Sequence, residues 1–463
     1  MRLTSEEVFE ALRTPLGRYQ TNLVNADIRW GGREFTGVDS DSRTLGAGQL
    51  FVALKSDKAD GHHYVTRALI SGATGVVISI DVKLPGTASI FRVRDTEVAY
   101  GQIARVWRDK FDIPVIGVTG SVGKTTTKEM LAAALAPLGP ILKTAASQNN
   151  ETGVPKALLQ LTEEHKAAVV EMGMRGSGQI KYLSGIARPT VGLISLISDN
   201  HIELLGSRDA IADAKGELID ALPENGTALL NANDPYYRRL AGKTLGKIIG
   251  FAVEGAPTYG PADFTATSLR LVDGAWTFDV DGQTIALKSP GRHDVGNAVS
   301  AYAVAVTLGV DPAAAAAALA AYEPPPMRMQ IVEAGWGGIV INDAYNAAPA
   351  SMKSALETVK SYPGTRKIAF LGDMKELGDV AVDAHAELGR VIEGLGGLDA
   401  LYTVGELAQG IPGAVRRFSD SSEAAQFAVG ELDVDKGDVV LVKGSRAMKM
   451  ELIANALVSR PVA

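Results

Sequence analysis

The stretch DIPVIGVTGSVGKTTTKEML, from Asp112 to Leu131, decides how the rest of the chain is read. Ile113, Val115, Ile116 and Val118 make a β-rich apolar run, and the residues after Thr126 have the apolar spacing of a helix. Between them stands Thr119-Gly120-Ser121-Val122-Gly123-Lys124-Thr125-Thr126. The predicted order is therefore strand, phosphate loop, helix. Glycines let successive N–H groups turn inward toward phosphate oxygens, and the helix presents its positive end to the same anion. In that arrangement Lys124 neutralises the β and γ phosphates and the Thr125 hydroxyl reaches a Mg²⁺. Val118 occupies the position where the common G-x-x-x-x-G-K-[ST] pattern has its first glycine, leaving the shorter G-x-x-G-K-T. An ordinary glycine-rich turn is the alternative; the placement between strand and helix favours a nucleotide site.

Working outward, 463 residues exceed what one hydrophobic core can fill, so two to four domains are expected. The 46% apolar and 21% charged content is that of a folded globular protein. With 46 Lys and Arg against 53 Asp and Glu, the formal charge of −7 argues against a nucleic-acid or anionic-membrane partner, which would need a basic surface. The absence of cysteine excludes disulfides and thiolate metal centres. The start, MRLTSEEVFEAL, lacks the apolar core of a signal peptide, and no apolar run reaches membrane-spanning length. The expectation is a cytoplasmic protein without membrane insertion.

Residues 1–112 alternate strands (49–54, 75–80, 89–93) with helical segments (62–71, 96–111), a small α/β unit. Asp39-Ser40-Asp41-Ser42-Arg43 forms a turn that could bind a diphosphate through charge-assisted bonds, or could simply be a solvated turn. From 113 to about 326 a larger α/β unit is predicted. Glu171 ends an apolar strand, and Asn200 and His201 follow another. Ligands of open parallel sheets sit beyond the carboxyl ends of the strands, so the loop, Glu171 and His201 should share one edge. Glu171 reads as a metal or water ligand in preference to a helix cap; His201 alone does not separate a ligand from a surface histidine. Lys215 falls on the apolar face made by Ile211, Ala214, Leu218 and Leu222, where an ammonium needs a buried partner or a changed charge state. Residues 226–290 read as an antiparallel excursion with Asp-Gly turns, and His293 and Asn297 then sit one helical turn apart. Pro324, Pro325 and Pro326 mark a stiff boundary. Beyond it, three polar turns follow predicted strands of a third α/β unit: Asp343 to Asn346, Gly372 to Gly378, and Lys443 to Arg446.

The segments TGSVGKTT, NNETGVP, EMGMRGSGQI, NHIELLGSRDAIADAKGEL, GRHDVGNA, INDAYNAAPASM, LGDMKELG and VKGSRAMKME occur in the order found in the ATP-dependent Mur ligases, which the chain resembles over nearly its whole length. The resemblance implies an α/β, three-domain architecture: a small N-terminal UDP-substrate domain (1–112), a central P-loop ATPase domain (113–326) and a C-terminal Rossmann-like domain (327–463). It implies ADP-forming ligation of D-alanyl-D-alanine to UDP-N-acetylmuramoyl-tripeptide through an acyl phosphate, in cytoplasmic peptidoglycan precursor synthesis. The implied cofactors are ATP, Mg²⁺ at two sites and a carbamylated Lys215. Carried onto this sequence, it gives the nucleotide phosphates to Gly120, Ser121, Val122, Gly123, Lys124, Thr125 and Thr126. One metal goes to Thr125 and Glu171, the second to His201 and Lys215. His293 and Asn297 would hold adenine, Arg328 the phosphates, and Asp343 the ribose, with Tyr345 and Asn346 in the same crossing motif. Ser42 and Arg43 match the turn beside the uridine diphosphate; Asn149, Asn150, Thr152, Lys443, Ser445 and Arg446 are expected among the substrate contacts. Asp294 stands where the family usually has Asn, and Gln330 departs from the usual entry to the third domain. Hinges are expected at 112–114 and 324–326, and the protein is expected to be a monomer.

Overall fold

The computed structural model describes residues 1–28, 34–56, 59–82, 88–199 and 202–460. Their first sheet has five strands in the order Leu23–Asp27, Ser89–Val93, Gly75–Ile78, Leu50–Val52, Val38–Asp39, parallel except at the Leu23–Asp27 edge. The expected helix at 62–71 is a 3₁₀ turn, Gly61–Tyr64, leading into Val65–Ile70. Helix Thr96–Arg108 starts where the Asp95 carboxylate accepts from Glu97 N and Val98 N, a cap that satisfies two otherwise orphaned donors.

That helix does not stop at its own sheet. Val98, Ile103 and Trp107 share one buried cluster with Leu158, Ile180 and Leu183 of the following unit, and Trp107 Nε1 donates to Leu161 O at 3.1 Å. Arg108 is buried and donates to Ala187 O (3.0 Å), Phe111 O (2.7 Å), Ile113 O (3.4 Å) and Arg188 O (3.4 Å). The 112–114 junction read from sequence as a hinge is thus pinned by a guanidinium that ties four carbonyls together. Arg108→Met should lower stability by about 2–4 kcal/mol, because the carbonyls lose their donor while the aliphatic packing remains. Urea unfolding followed by fluorescence of a variant keeping Trp107 as its single tryptophan checks this; an unchanged midpoint would return the junction to the hinges.

Nine strands form the central sheet, with Val115–Thr119 between Ala167–Glu171 and Val191–Ile194, all parallel. All three strands are buried throughout, which explains their continuous apolar character. Register pairs Glu171 with Val118 and Ile194 with Thr119, so the three carboxyl ends reach one rim. The antiparallel excursion begins later than expected. Thr227–Asn231 and Lys247–Val253 extend the parallel sheet, with helix Tyr237–Ala241 between them, a βαβ period hidden by short elements. Only Phe264–Val272, Ala275–Val280 and Gln283–Ala286 alternate antiparallel, turning at Asp273-Gly274 and Asp281-Gly282.

In the third sheet, order Gln330–Glu333, Ile339–Asp343, Val439–Lys443, Lys367–Gly372, Ala400–Val404, Arg416–Phe418, the three strands preceding the polar turns are parallel neighbours. Asp343 and Lys443 are register partners, which brings two of the turns into contact.

Candidate active site

Two glycines shape the phosphate loop. Gly120 has φ +151°, and a Cβ there would lie 2.0 Å from Ser195 Oγ; Gly123 has φ +84°, and its Cβ would lie 2.6 Å from Asn297 Oδ1. Both positions exclude side chains, and Gly123 opens helix Lys124–Leu135. Ser195 was not singled out in the sequence, yet its hydroxyl donates to Val122 O at 2.6 Å and holds the loop from the neighbouring strand. Its only signal was a hydroxyl directly after an apolar strand. Lys124 Nζ donates to Gly120 O (2.9 Å) and Ser121 O (3.3 Å). Burial lowers its pKa, Glu171 opposes that shift, and Arg328 adds to it.

Glu171 is 1% exposed. Its Oε1 accepts from Asn149 Nδ2 at 2.8 Å, and its backbone N–H donates to Thr144 Oγ1 at 3.1 Å. Oε2 is buried without a hydrogen-bond partner. A buried carboxylate oxygen left unsatisfied on this rim is the donor a hard divalent cation prefers, so Glu171, with the buried Thr125 hydroxyl nearby, fits a Mg²⁺ site. Among the described residues no group of three His, Asp or Glu side chains converges as a metal cage. His201, with Asn200, lies outside the described residues. Lys128, one turn beyond Lys124, also escaped the sequence reading. It is fully buried, and its Nζ lies 3.7 Å from Glu171 Oε2.

Lys215 sits in helix Arg208–Asp220 at 1% exposure. Among the described residues it has no hydrogen-bond or ion-pair partner, and the nearby acids are engaged elsewhere. Asp213 pairs with Arg239 at 2.6 Å, and Glu217 accepts from Gly178 N (2.6 Å), Lys181 N (2.9 Å) and Ser177 Oγ (3.1 Å). Burial pushes the lysine well below its ordinary value, and the charge of Lys124 pushes it further. With Lys124, Asn149 and Asn150 it lines a cavity of about 530 Å³.

A second cavity, about 420 Å³, lies between the phosphate loop and the third sheet. Ser121 to Thr126, Glu171 and His293 line one side; Arg328, Asp343, Tyr345, Asn346 and Lys443 line the other. The Arg328 guanidinium stacks 4.0 Å from the Tyr345 ring centroid, and the Tyr345 hydroxyl bonds that of Ser147. His293 Nδ1 and Ser354 Oγ, 2.8 Å apart, close another edge. Both His293 and Asn297 border an adjoining cavity of about 550 Å³ whose walls include Phe251, Val253 and Trp276, suited to a flat base. Asn297 also serves the fold: Thr127 Oγ1 donates to its Oδ1 (3.1 Å), and its Nδ2 donates to Asp294 (2.9 Å).

Several expected contacts are already engaged. Asp343 meets Lys443 Nζ at 2.5 Å and accepts from Met329 N at 3.2 Å, while Lys443 also donates to Asn346 O at 2.9 Å. Ser445 is buried and accepts from Lys375 N at 2.8 Å, shaping the 373–378 loop, and Arg446 pairs with Glu451 at 2.7 Å. Asn150 accepts from Gly153 N (2.9 Å) and from Thr152 Oγ1 (3.2 Å), at the start of helix Gly153–Leu158. Ser42 is buried. Arg43 is exposed and grips Asp41 through three bonds of 2.6–3.1 Å, which hold that carboxyl well below its ordinary value.

Residues 118–305 match the family model described as the Mur ligase middle domain, and residues 327–446 match that of the Mur ligase, glutamate ligase domain. The UDP-N-acetylmuramoyl-tripeptide–D-alanyl-D-alanine ligase of Synechocystis sp. is 38% identical over 448 residues, covering 95% of this chain and 94% of its own. A crystal structure of MurF from Acinetobacter baumannii is similar with a TM-score of 0.86 at 29% identity, covering 99% of each chain. MurF ligase from Thermotoga maritima in complex with ADP follows at 0.80 and 29%, covering 91% of this chain and 96% of that one. With two family models matched in order and a relative 38% identical over 95% of the sequence, the chain belongs to the Mur ligase family.

Proposed function

We propose that this protein is an ATP-dependent, ADP-forming ligase joining D-alanyl-D-alanine to UDP-N-acetylmuramoyl-tripeptide through an acyl phosphate, a step of peptidoglycan precursor synthesis in the cytoplasm. The observation that carries this reading is the phosphate loop with Glu171 at one cavity and Lys215 at a second that shares Lys124, Ser147 and Asn149 with it, in a chain alike over 95% of its length to a ligase of that name. The domains would divide at 112/113 and 326/327, and the chain would act as a monomer.

A carboxylate does not condense with an amine at neutral pH, since oxide would have to leave. Transfer of the γ-phosphoryl group to the tripeptide carboxylate supplies a better leaving group, and attack by the dipeptide amine then gives the amide and phosphate. Lys124 and Arg328, on opposite walls of one cavity, neutralise charge on the transferring oxygens. Mg²⁺, held by Thr125 and Glu171 and at a second site by His201 and a carbamate on Lys215, would supply further charge neutralisation. The Ser147–Tyr345 and His293–Ser354 contacts join the two walls of the cleft, and its tightening around bound substrates would keep water from the labile acyl phosphate.

At the far end, Ser42 and Arg43 would hold the uridine diphosphate. Arg43→Ala should raise KM for the UDP-substrate about tenfold with little change in kcat, because an anchor remote from the reacting carbon contributes mostly uniform binding. Steady-state kinetics separates the two; a fall in kcat alone would move this turn to the chemistry. The function itself is tested by ADP release against a matrix of UDP-muramoyl peptides and acceptors, with the amide product identified by mass. Turnover with glutamate-type or third-residue acceptors instead of the dipeptide would replace the proposed activity by that of another ligase with this fold. ADP release without any amide would reduce it to a nucleotide-binding module.

A further inference from the structure

We propose that Lys128 keeps the Glu171 carboxylate closed to a divalent cation until a nucleotide's phosphates are present, so that metal and nucleotide are taken up together. The inference rests on the reading of Glu171 as a metal ligand beside a nucleotide site. Lys128 is 0% exposed, and its Nζ meets Ala146 O at 2.7 Å, Glu129 Oε1 at 3.1 Å and Glu171 Oε2 at 3.7 Å. Glu129 is in turn bonded through its other oxygen to Lys143, whose side chain is 44% exposed. Lys143, Glu129, Lys128 and Glu171 therefore form a line of alternating charge running from the surface to the rim.

The consequence is electrostatic. Two positive and two negative groups leave that line neutral, so Glu171 does not act on an incoming cation as an isolated negative charge. The distance of 3.7 Å is too long for a hydrogen bond, which leaves Oε2 free as a ligand atom while the ammonium stands against it. Away from water, the repulsion between that ammonium and a divalent ion is poorly screened. Among the described residues no three-residue acidic or imidazole cage offsets it. Phosphate oxygens arriving over Lys124 supply the missing negative charge. A lysine that only tied its helix to the 144–149 loop through Ala146 O would have no effect on metal affinity.

The test measures Mn²⁺ binding to the full nucleotide-free chain by electron paramagnetic resonance, for wild type and Lys128→Met, which keeps the aliphatic stem. Cooperative thermal unfolding of each is recorded alongside. Wild type should bind Mn²⁺ weakly without nucleotide and take it up on addition of a non-hydrolysable ATP analogue. Lys128→Met should bind it about tenfold or more tightly with no nucleotide present. A folded Lys128→Met with wild-type affinity overturns the proposal, and so does tight Mn²⁺ binding by the nucleotide-free wild type, a result that stands even if the variant does not fold. Equilibrium dialysis of the ATP analogue without metal separates the two readings. No nucleotide binding removes both, whereas nucleotide binding with equal metal affinities in wild type and variant removes the charge gate alone.

Discussion

Replacing Lys124 by alanine is expected to lower turnover by about three orders of magnitude or more while leaving the thermal unfolding transition nearly in place. The two halves of this expectation have different physical sources. In the folded chain Lys124 Nζ donates only to the carbonyls of Gly120 and Ser121 and lines a cavity whose water can take over both bonds in the variant. Little stability is at stake. The transferring phosphoryl group, in contrast, spreads charge over three oxygens, and Lys124 and Arg328 are the two unpaired cations lining that cavity among the described residues. Burial and Arg328 lower the lysine's pKa, and the negative charge of a bound polyphosphate would act in the opposite direction, favouring the ammonium. Phosphate release at saturating substrates, with circular dichroism melts, checks both halves. A variant with a near wild-type rate would take the phosphate loop out of the mechanism.

Lys215→Ala should cost about a hundredfold or more in activity, and a short carboxylic acid such as acetate should restore part of it. The side chain is almost wholly buried, lacks a partner among the described residues, and is depressed by burial and by Lys124. An unmodified ammonium there would repel a metal. A depressed pKa keeps more of the amine neutral at physiological pH, the form that attacks CO₂, and the resulting carbamate would present two oxygens sharing one negative charge to the cavity it borders with Lys124 and Asn149. The bland alternative, pairing with Asp213 or Glu217, is ruled out by geometry, since Arg239 holds the first and the start of helix Gln179–Ala187 holds the second. Added acid supplies an oxygen ligand without restoring the lysine's packing, so rescue separates a missing anion from a damaged core. A bare amine in the substrate-loaded enzyme, together with full activity in CO₂-depleted buffer, would sink the idea.

Much of this was legible because buried parallel strands leave continuous apolar runs, and their polar residues crowd at one end. Val115 to Thr126, Glu171 and Asp343 could be placed on that logic alone, and Lys215 by its position on an apolar helix face. What sequence could not reveal was engagement. Asn150, Ser445 and Lys443 are residue types that bind substrates, yet each is tied by partners distant or local whose positions depend on the fold. Arg108 read as an ordinary basic residue at a helix end, because nothing local indicates that carbonyls from 79 and 80 residues further on close around it. The excursion after Gly226 was misjudged for a related reason: short strands and Asp-Gly turns mark hairpins, but a five-residue helix between two strands is enough to make their connection parallel.

The shared core beneath helix Thr96–Arg108 has a consequence for how the chain is made. Trp107, Ile103 and Val98 share one buried cluster with Leu3, Val8 and Leu12 of the first unit and with Leu158, Ile180 and Leu183, which lie beyond it in the chain. A ribosome that has released the first sheet still leaves bare the part of that helix covered by these later residues, until some eighty further residues, about through helix Gln179–Ala187, have emerged. The nascent amino-terminal unit is therefore an incomplete folding unit that exposes a greasy surface during synthesis, and expressing residues 1–112 alone should yield an aggregating fragment rather than an isolated UDP-substrate module.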